Sequence, residues 1–401
     1  MRRAAAVLAL SGLTAALYAF GVGAKPMARD EAEFDSVARN LNASAWHNQG
    51  GRFPPVFISN TNGEWLHAAP IYATAVVRRL TDAVAASRWF PVVLGTIDIV
   101  LIYLVARAGG KSHVFAMLAA ALLLCSPAHL DASRRAARDG IWDVPILMVW
   151  MWGLLSALSA RTDRARLAWW MLAGAALAGA LYAQPSAPLI VVGLAGVSGV
   201  VVWRTPPHRR SALVAMATGA AILIAPMAVW YVRYPETYPD TLGRWLLHSA
   251  HIRSPGSWLA ESFSRDAIAG VVHITWDWLS PTHLFVNSNT PGWAGVFPAT
   301  LAPLMVIGAA DRKSTSWSSG AWCQWLPAYV LIATPILVAT FKQPRATELA
   351  LIVVPAGVLL AAGGAEAMWR RSRRERLWAV LLLIVAGAQF AAYYKAVLAS
   401  H

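Results

Sequence analysis

The sequence predicts an all-α polytopic membrane protein, one integral membrane domain over residues 1–401 with about eleven transmembrane helices. Three observations lead there. Apolar residues make up 57% of the chain and charged residues 13%. Apolar stretches recur to the end of the chain, near 4–24, 89–107, 113–127, 144–160, 167–183, 187–203, 212–231, 294–310, 321–340, 348–368 and 377–394. Such stretches suit a bilayer, whose apolar core takes about 20 residues of helix. Finally, basic residues gather in alternate short connections, which orients the bundle.

Each stretch is expected to be helical, because unpaired backbone groups in lipid cost several kcal/mol. With Arg2 and Arg3 inside, the inner loops carry Arg107/Lys111, Arg161/Arg164/Arg166, Arg204/Arg209/Arg210, Arg312/Lys313 and the cluster Arg370 to Arg376. These are 17 of the 34 Lys and Arg residues, set against only Asp163, Asp311 and Glu375. Short loops rich in Lys and Arg stay cytoplasmic, so the C-terminus is expected outside. This inner basic face accounts for the net charge of +14, and no nucleic-acid partner is implied. Many of the 20 Trp residues fall near span ends, among them Trp89, Trp142, Trp203, Trp369 and Trp378, as in an interfacial belt. Residues 1–24 have the ingredients of a signal peptide, but an uncleaved first helix is expected, since a many-span protein needs no removable signal. Cys125 and Cys323 suggest packing residues rather than a disulfide framework.

Two long extracytoplasmic loops follow, 25–88 and 232–293. In the first, Phe34, Val37, Ala38 and Leu41 have the i, i+3, i+4, i+7 spacing of an amphipathic helix lying in the interface. Leu242, Trp245, Leu246 and Ser249 make a shorter stripe in the second. Pro54-Pro55 and Ser59 to Gly63 break the first loop into turns. The loops read as a cap over one end of the bundle.

The residues with the most chemical promise are Asp30 and Glu31, just past the first span. An enzyme acting on a membrane-bound substrate needs a carboxylate at that depth. The competing reading is structural: with Glu33 three residues on, Asp30 could head a capping box. Asp98 lies inside the second span, where an ionisable group is costly. It either reaches an active site or accepts a hydrogen bond from a neighbouring span. Glu366 is expected to pair with nearby arginines. The loop histidines show no metal spacing, and the His248/His251 pair is a weak signal. No cofactor is expected, and a divalent cation is not indicated.

Three further segments resemble a known family: Arg88 to Arg107 running on to Ser126-Pro-Ala-His129, Ser133 to Pro145, and Trp276 to Phe285. Their order after an Asp-Glu pair is similar to the family-39-type GT-C glycosyltransferases, which include protein O-mannosyltransferases and aminoarabinose transferases of lipid A. Pro344 to Pro355 resembles the late Arg…Pro span of that group. The resemblance is diffuse but covers nearly the whole chain. It implies a multi-pass enzyme of the bacterial inner membrane with an extracytoplasmic active site. That enzyme moves a sugar, with inversion, from a polyprenyl-phosphate donor to a lipid, glycan or protein acceptor.

On this resemblance Asp30 matches the acidic motif taken as the base, and Glu31 matches its neighbour. The second motif falls on Arg134, Arg138, Asp139 and Asp143, with either Asp the possible equivalent. Asp139 is favoured because Arg138 adjoins it. Arg134, Arg138 and Arg345 would hold the donor phosphate, as guanidinium forks suit phosphate oxygens. The alternative for each is snorkelling. Trp258, Trp276 and Trp278 would contact sugar or acceptor, or anchor at the interface. The chain departs from aminoarabinose-type relatives at Tyr182 to Ser186, where they carry Lys-Gly, and after Pro54-Pro55. Partners implied are the polyprenyl-phosphate sugar and membrane lipids. A flippase-like transporter and a glycan polymerase are the competing functions. A transporter would be expected to show more mid-span charge and an internal repeat.

Overall fold

The computed structural model describes residues 2–24, 26–44, 56–59, 65–81, 86–136, 139–183, 187–204, 208–237, 241, 265–286, 295–311, 326–331 and 349–399. Helices α1 (Arg2–Ala19), α4 (Ala86–Ala108), α5 (His113–Leu124), α7 (Asp143–Ser159), α8 (Asp163–Ala180), α9 (Ala187–Trp203) and α10 (Arg209–Arg233) coincide with the first seven apolar stretches. Later in the chain come α13 (Leu301–Ala310), α14 (Val354–Arg370) and α15 (Arg373–Ala399). Of the stretch 321–340, residues 326–331 are described and helical. The stretch 294–310 becomes helical only from Leu301, and α5 ends at Leu124 rather than 127. Two shorter helices, α11 (Arg265–Leu279) and α12 (Pro281–Leu284), lie in the second long loop.

Among the described residues four helices are long and apolar enough to cross a membrane: α4, α10, Leu351–Arg370 and α15. Five shorter apolar helices accompany them. Leu8, Val192, Ile222, Val306 and Ile384 remain exposed on this bundle, an apolar exterior that water would disfavour and lipid accepts. The protein is a multi-pass α-helical membrane protein.

Local chemistry sets the helix starts. The hydroxyls of Ser112, Ser126 and Thr162 accept from the backbone N–H of Phe115, His129 and Ala165, each pair closing a first turn. Pro127 takes the first turn of α6 (Pro127–Ala132), where its missing N–H costs nothing. Helix α4 is central, packed by α1, α5, α7 and α3 (Ala68–Leu80). Two other pairs meet through glycine. A Cβ on Gly174 of α8 would strike the Met216 carbonyl of α10, and one on Gly219 of α10 would strike the Met171 carbonyl of α8. Gly308 of α13 and Gly364 of α14 meet Leu360 and Leu304 in the same reciprocal way. Small residues let backbones approach where lipid supplies no hydrophobic drive between helices.

The first long loop folds over the bundle end opposite the basic connections. It comprises α2 (Arg29–Ala43), a hairpin of β1 (Phe57–Ser59) and β2 (Trp65–His67), and α3. The apolar stripe of α2 was expected in the membrane interface. Instead Val37, Ala38 and Leu41 bury against Ile58, Ala68, Ile71 and Ala75, so α3 and the hairpin cover the stripe. Phe57 and Trp65 pack their rings on Trp230 at the end of α10. His67 lies edge-on to Phe57 and bonds the Leu181 carbonyl through Nδ1 at 3.0 Å. Burial pushes that imidazole down to about 4, so it is neutral. The stripe expected at 242–249 lies outside the described residues.

Candidate active site

The site grows from Glu31. Arg88, the third residue of α4, meets its carboxylate side-on: Nε donates to Oε1 at 2.9 Å and Nη2 to Oε2 at 2.6 Å. The Ala28 backbone N–H donates to Oε2 at 3.0 Å, which secures the start of α2. The Ala136 backbone N–H donates to Oε1 at 2.9 Å. Glu31 is 3% exposed, and such a buried charge is tolerable only with a full set of donors. Burial pushes the carboxyl pKa up. The bonds from Arg88, Ala28 and Ala136 with the Arg88 charge outweigh that, and the net shift is downward. Arg88 also donates to the Val22 and Pro26 carbonyls at 2.9 and 3.0 Å. One ion pair thus ties the turn after α1, the N-terminus of α2, the head of α4 and the segment after α6.

That last segment leads three residues on to Asp139, where a 3-10 turn (Asp139–Trp142) runs directly into α7 at Asp143. Asp143 is buried in the first turn of α7. A second 3-10 turn, Leu349–Val353, packs against the first one and against α6 and α7. It brings residues 349–355 of the late segment to the same place. Phe90 stacks on Trp142 at 4.9 Å, closing the side toward α4.

Below this junction lies a buried relay. The Tyr18 hydroxyl sits 2.8 Å from Nδ1 of His129, and Nε2 of His129 sits 3.0 Å from Oδ2 of Asp98. All three side chains are fully buried. A carboxylate only accepts, so Nε2–H donates to Asp98, and Nδ1 accepts from Tyr18. Ser133 Oγ donates to the His129 carbonyl at 2.6 Å. A Cβ on Gly95 would overlap the Ser133 side chain, so only glycine admits α6 this close to α4.

Known proteins resemble this chain in fold. Residues 69–230 match the family described as dolichyl-phosphate-mannose-protein mannosyltransferase. The crystal structure of ArnT from Cupriavidus metallidurans bound to undecaprenyl phosphate superposes with a TM-score of 0.61 at 16% identity, over 95% of this chain and 63% of that one. The apo Archaeoglobus fulgidus oligosaccharyltransferase superposes with a TM-score of 0.54 at 13% identity, over 98% of this chain and 55% of that one. The chain has the GT-C fold. It spans less than two thirds of the length of those solved structures. None of the curated proteins matches the sequence significantly.

Several site residues of this GT-C chain take positions that the sequence did not suggest. Asp30 is not an N-cap. Helix α2 begins at Arg29 after Ala28, so Asp30 is its second residue, and the reach-back of a capping box is made by Glu31 rather than Glu33. An acid there still benefits from the helix dipole. Glu31, expected beside the base in the chemistry, has its oxygens engaged by four donors and acts as a clamp.

Asp139 and Asp143 do not lie on one continuous α-helix. Asp139 opens the 3-10 turn and Asp143 opens α7. Arg134, expected on phosphate, points one Nη at the end of α1, donating to the Phe20, Tyr18 and Leu17 carbonyls at 2.7, 3.2 and 3.3 Å. It neutralises the carbonyls orphaned at that helix end. Trp276 is 72% exposed on α11, whose described packing is with α12. Trp278 shares that helix. Arg138, Arg345 and Trp258 lie outside the described residues. Asp98 stands at the middle of α4, and its partner is His129.

Arg88 escaped notice because an arginine heading a span reads as a snorkelling residue. The Glu31-to-Arg88 pairing spans 57 residues, and no local pattern announces it. Among the described residues no group of three or more His, Cys, Asp and Glu side chains could hold a metal ion.

Proposed function

We propose that this chain is an inverting glycosyltransferase that takes a sugar from a polyprenyl-phosphate carrier at the extracytoplasmic face of a bacterial inner membrane. The acceptor hydroxyl of a lipid, glycan or protein attacks the anomeric carbon. The bond from that carbon to the phosphate oxygen breaks, and the polyprenyl phosphate leaves with the electron pair. Asp30 takes the acceptor proton. One carboxylate of the second motif, Asp139 or Asp143, helps to orient the reactants, and Arg138 and Arg345 offset the charge on the leaving phosphate.

The observation that carries this reading is the Glu31 clamp. Its bond to Ala136 joins the acidic pair directly to the segment that runs into Asp139. A sequence separation of 105 residues is closed by that contact. Preorganisation of this kind is what a transferase requires of its reacting groups. The fold shared with ArnT, and the undecaprenyl phosphate bound to that protein, support a polyprenyl-phosphate carrier. The pairing of Asp98 with His129 accounts for the mid-span charge without an ion path.

The deciding experiment is transfer from a polyprenyl-phosphate sugar pool in membranes containing Asp30→Asn at matched expression. Asn keeps the shape but cannot take the proton, so transfer should fall by about 100-fold or more. Normal transfer by the variant would sink the assignment.

A further inference from the structure

At the opposite, basic end of the bundle, α5, α14 and α15 enclose a cavity of about 460 Å³. That volume lies within the range of about 300–1,000 Å³ typical of small-molecule sites. Phe115, Leu118, Val380 and Leu383 make an apolar wall, and Glu366 and Arg370 stand on the other side. Trp369 and Trp378 are 54% and 49% exposed beside it, at the level expected of an interfacial belt. The cavity therefore sits where acyl chains meet headgroups.

Its polar side is unusually provided for. Glu366 Oε2 is buried and receives no hydrogen bond, although Arg370 Nη2 is 3.3 Å away. Lys111 rests its ammonium 5.2 Å from the Phe115 ring centroid. Burial lowers that amine to about 8, while the Glu366 and Asp311 carboxylates raise it and Arg370 lowers it. A carboxylate oxygen that receives no hydrogen bond thus lies beside its ion-pair partner Arg370 and near Lys111, at an apolar pocket. A simple anionic lipid would complement the cations but set its own charge against Glu366. A headgroup with both signs fits all three groups.

We propose that this cavity binds a glycerophospholipid with an ethanolamine headgroup, its phosphate facing Arg370 and Lys111 and its ammonium donating to Glu366. One acyl chain lies along Phe115, Leu118 and Leu383. Each buried methylene of that chain adds to retention, so the lipid stays through mild extraction.

The test uses the full chain in nanodiscs made with equal parts of phosphatidylethanolamine, phosphatidylglycerol and phosphatidylcholine. Tightly held lipid is counted by native mass spectrometry after detergent release. The wild type should retain phosphatidylethanolamine about tenfold over the other two, a ratio that one charge-assisted hydrogen bond supports. Glu366→Gln should still hold lipid but lose the preference. Leu118→Trp, which fills the cavity, should hold none at matched thermal stability. Retention in the bulk ratio, a preference for phosphatidylglycerol, or an unchanged preference in Glu366→Gln would each overturn the proposal. The Glu366→Gln comparison decides the matter should Leu118→Trp fail to fold.

Discussion

Glu31 and Asp35 sit one turn apart on α2, both nearly buried and both paired with arginine, yet they hold different things. Glu31 reaches into the bundle, to Arg88 on α4 and to the backbone at Ala136. Asp35 reaches sideways within the cap, accepting from Arg78 of α3 at 2.6 Å and from Arg39 of its own helix at 2.9 Å. Arg78 is buried, whereas the Arg39 side chain is 60% exposed and adds little. The two clusters have the same chemistry in different neighbourhoods. The first fixes the acidic motif against the rest of the candidate site; the second only closes α2 onto α3. Charge pairing by itself therefore says nothing about function here. What separates the two carboxylates is which segments they join.

The widest separation should come from Arg88→Ala. It strands a buried Glu31, which costs about 3–5 kcal/mol in comparable pairs. Thermal unfolding in nanodiscs should register the loss, and transfer should vanish with it. A double-mutant cycle with Glu31→Gln should show strong coupling, and additivity would remove the clamp from the argument. Next come the second-motif carboxylates. Asp139→Asn and Asp143→Asn should be unequal, because one residue opens the 3-10 turn and the other opens α7. We expect about a 100-fold loss in Asp139→Asn and near-normal transfer in Asp143→Asn. Two tolerant variants would take this motif out of the mechanism.

Asp35→Asn probes the other half of the comparison. It weakens a charged hydrogen bond worth about 1.5–3 kcal/mol, so the cap should loosen while transfer per folded molecule persists. A loss of transfer equal to that of Arg88→Ala would erase the distinction drawn between the clusters. The mildest effect is that of acid. Glu31 has a depressed carboxyl, so the unfolded state binds more protons and stability rises with pH across its titration. Its contribution is complete above the ordinary value of 4.5 and is lost as pH falls through the lower, folded value. Amide exchange at the start of α2 should accelerate in that acid range, and in Arg88→Ala the acceleration should shrink.

Much of the bundle was legible in the chain. A membrane span must hide its backbone polarity within one helix and present about 20 apolar residues, so the order and spacing of α1, α4, α7, α8 and α10 could be read directly. The cap was less open to reading. Helix α3 runs through Ala68-Ala-Pro-Ile-Tyr to Leu80, with a proline in its first turn and no long apolar period. It forms because α2 offers a complementary face, which is a tertiary fact. The same holds for α2, whose stripe reads equally well as lipid-facing or as core-facing. The pattern records that a face is apolar, not what covers it.

For the site, the sequence by itself determined where carboxylates stand relative to the spans and which segments resemble a transferase family. It could not tell a base from a clamp, because Asp30 and Glu31 are adjacent and chemically alike. Tertiary structure decided that Glu31 is held by four donors drawn from three segments, that Arg134 caps α1, and that His129 comes down from α6 to meet Asp98 in mid-span. The physical reason is range. Helix formation in lipid is a local demand, satisfied within about 20 neighbouring residues. A buried ion pair is a demand on any partner that can reach it, and here the partners lie 57, 105 and 31 residues away.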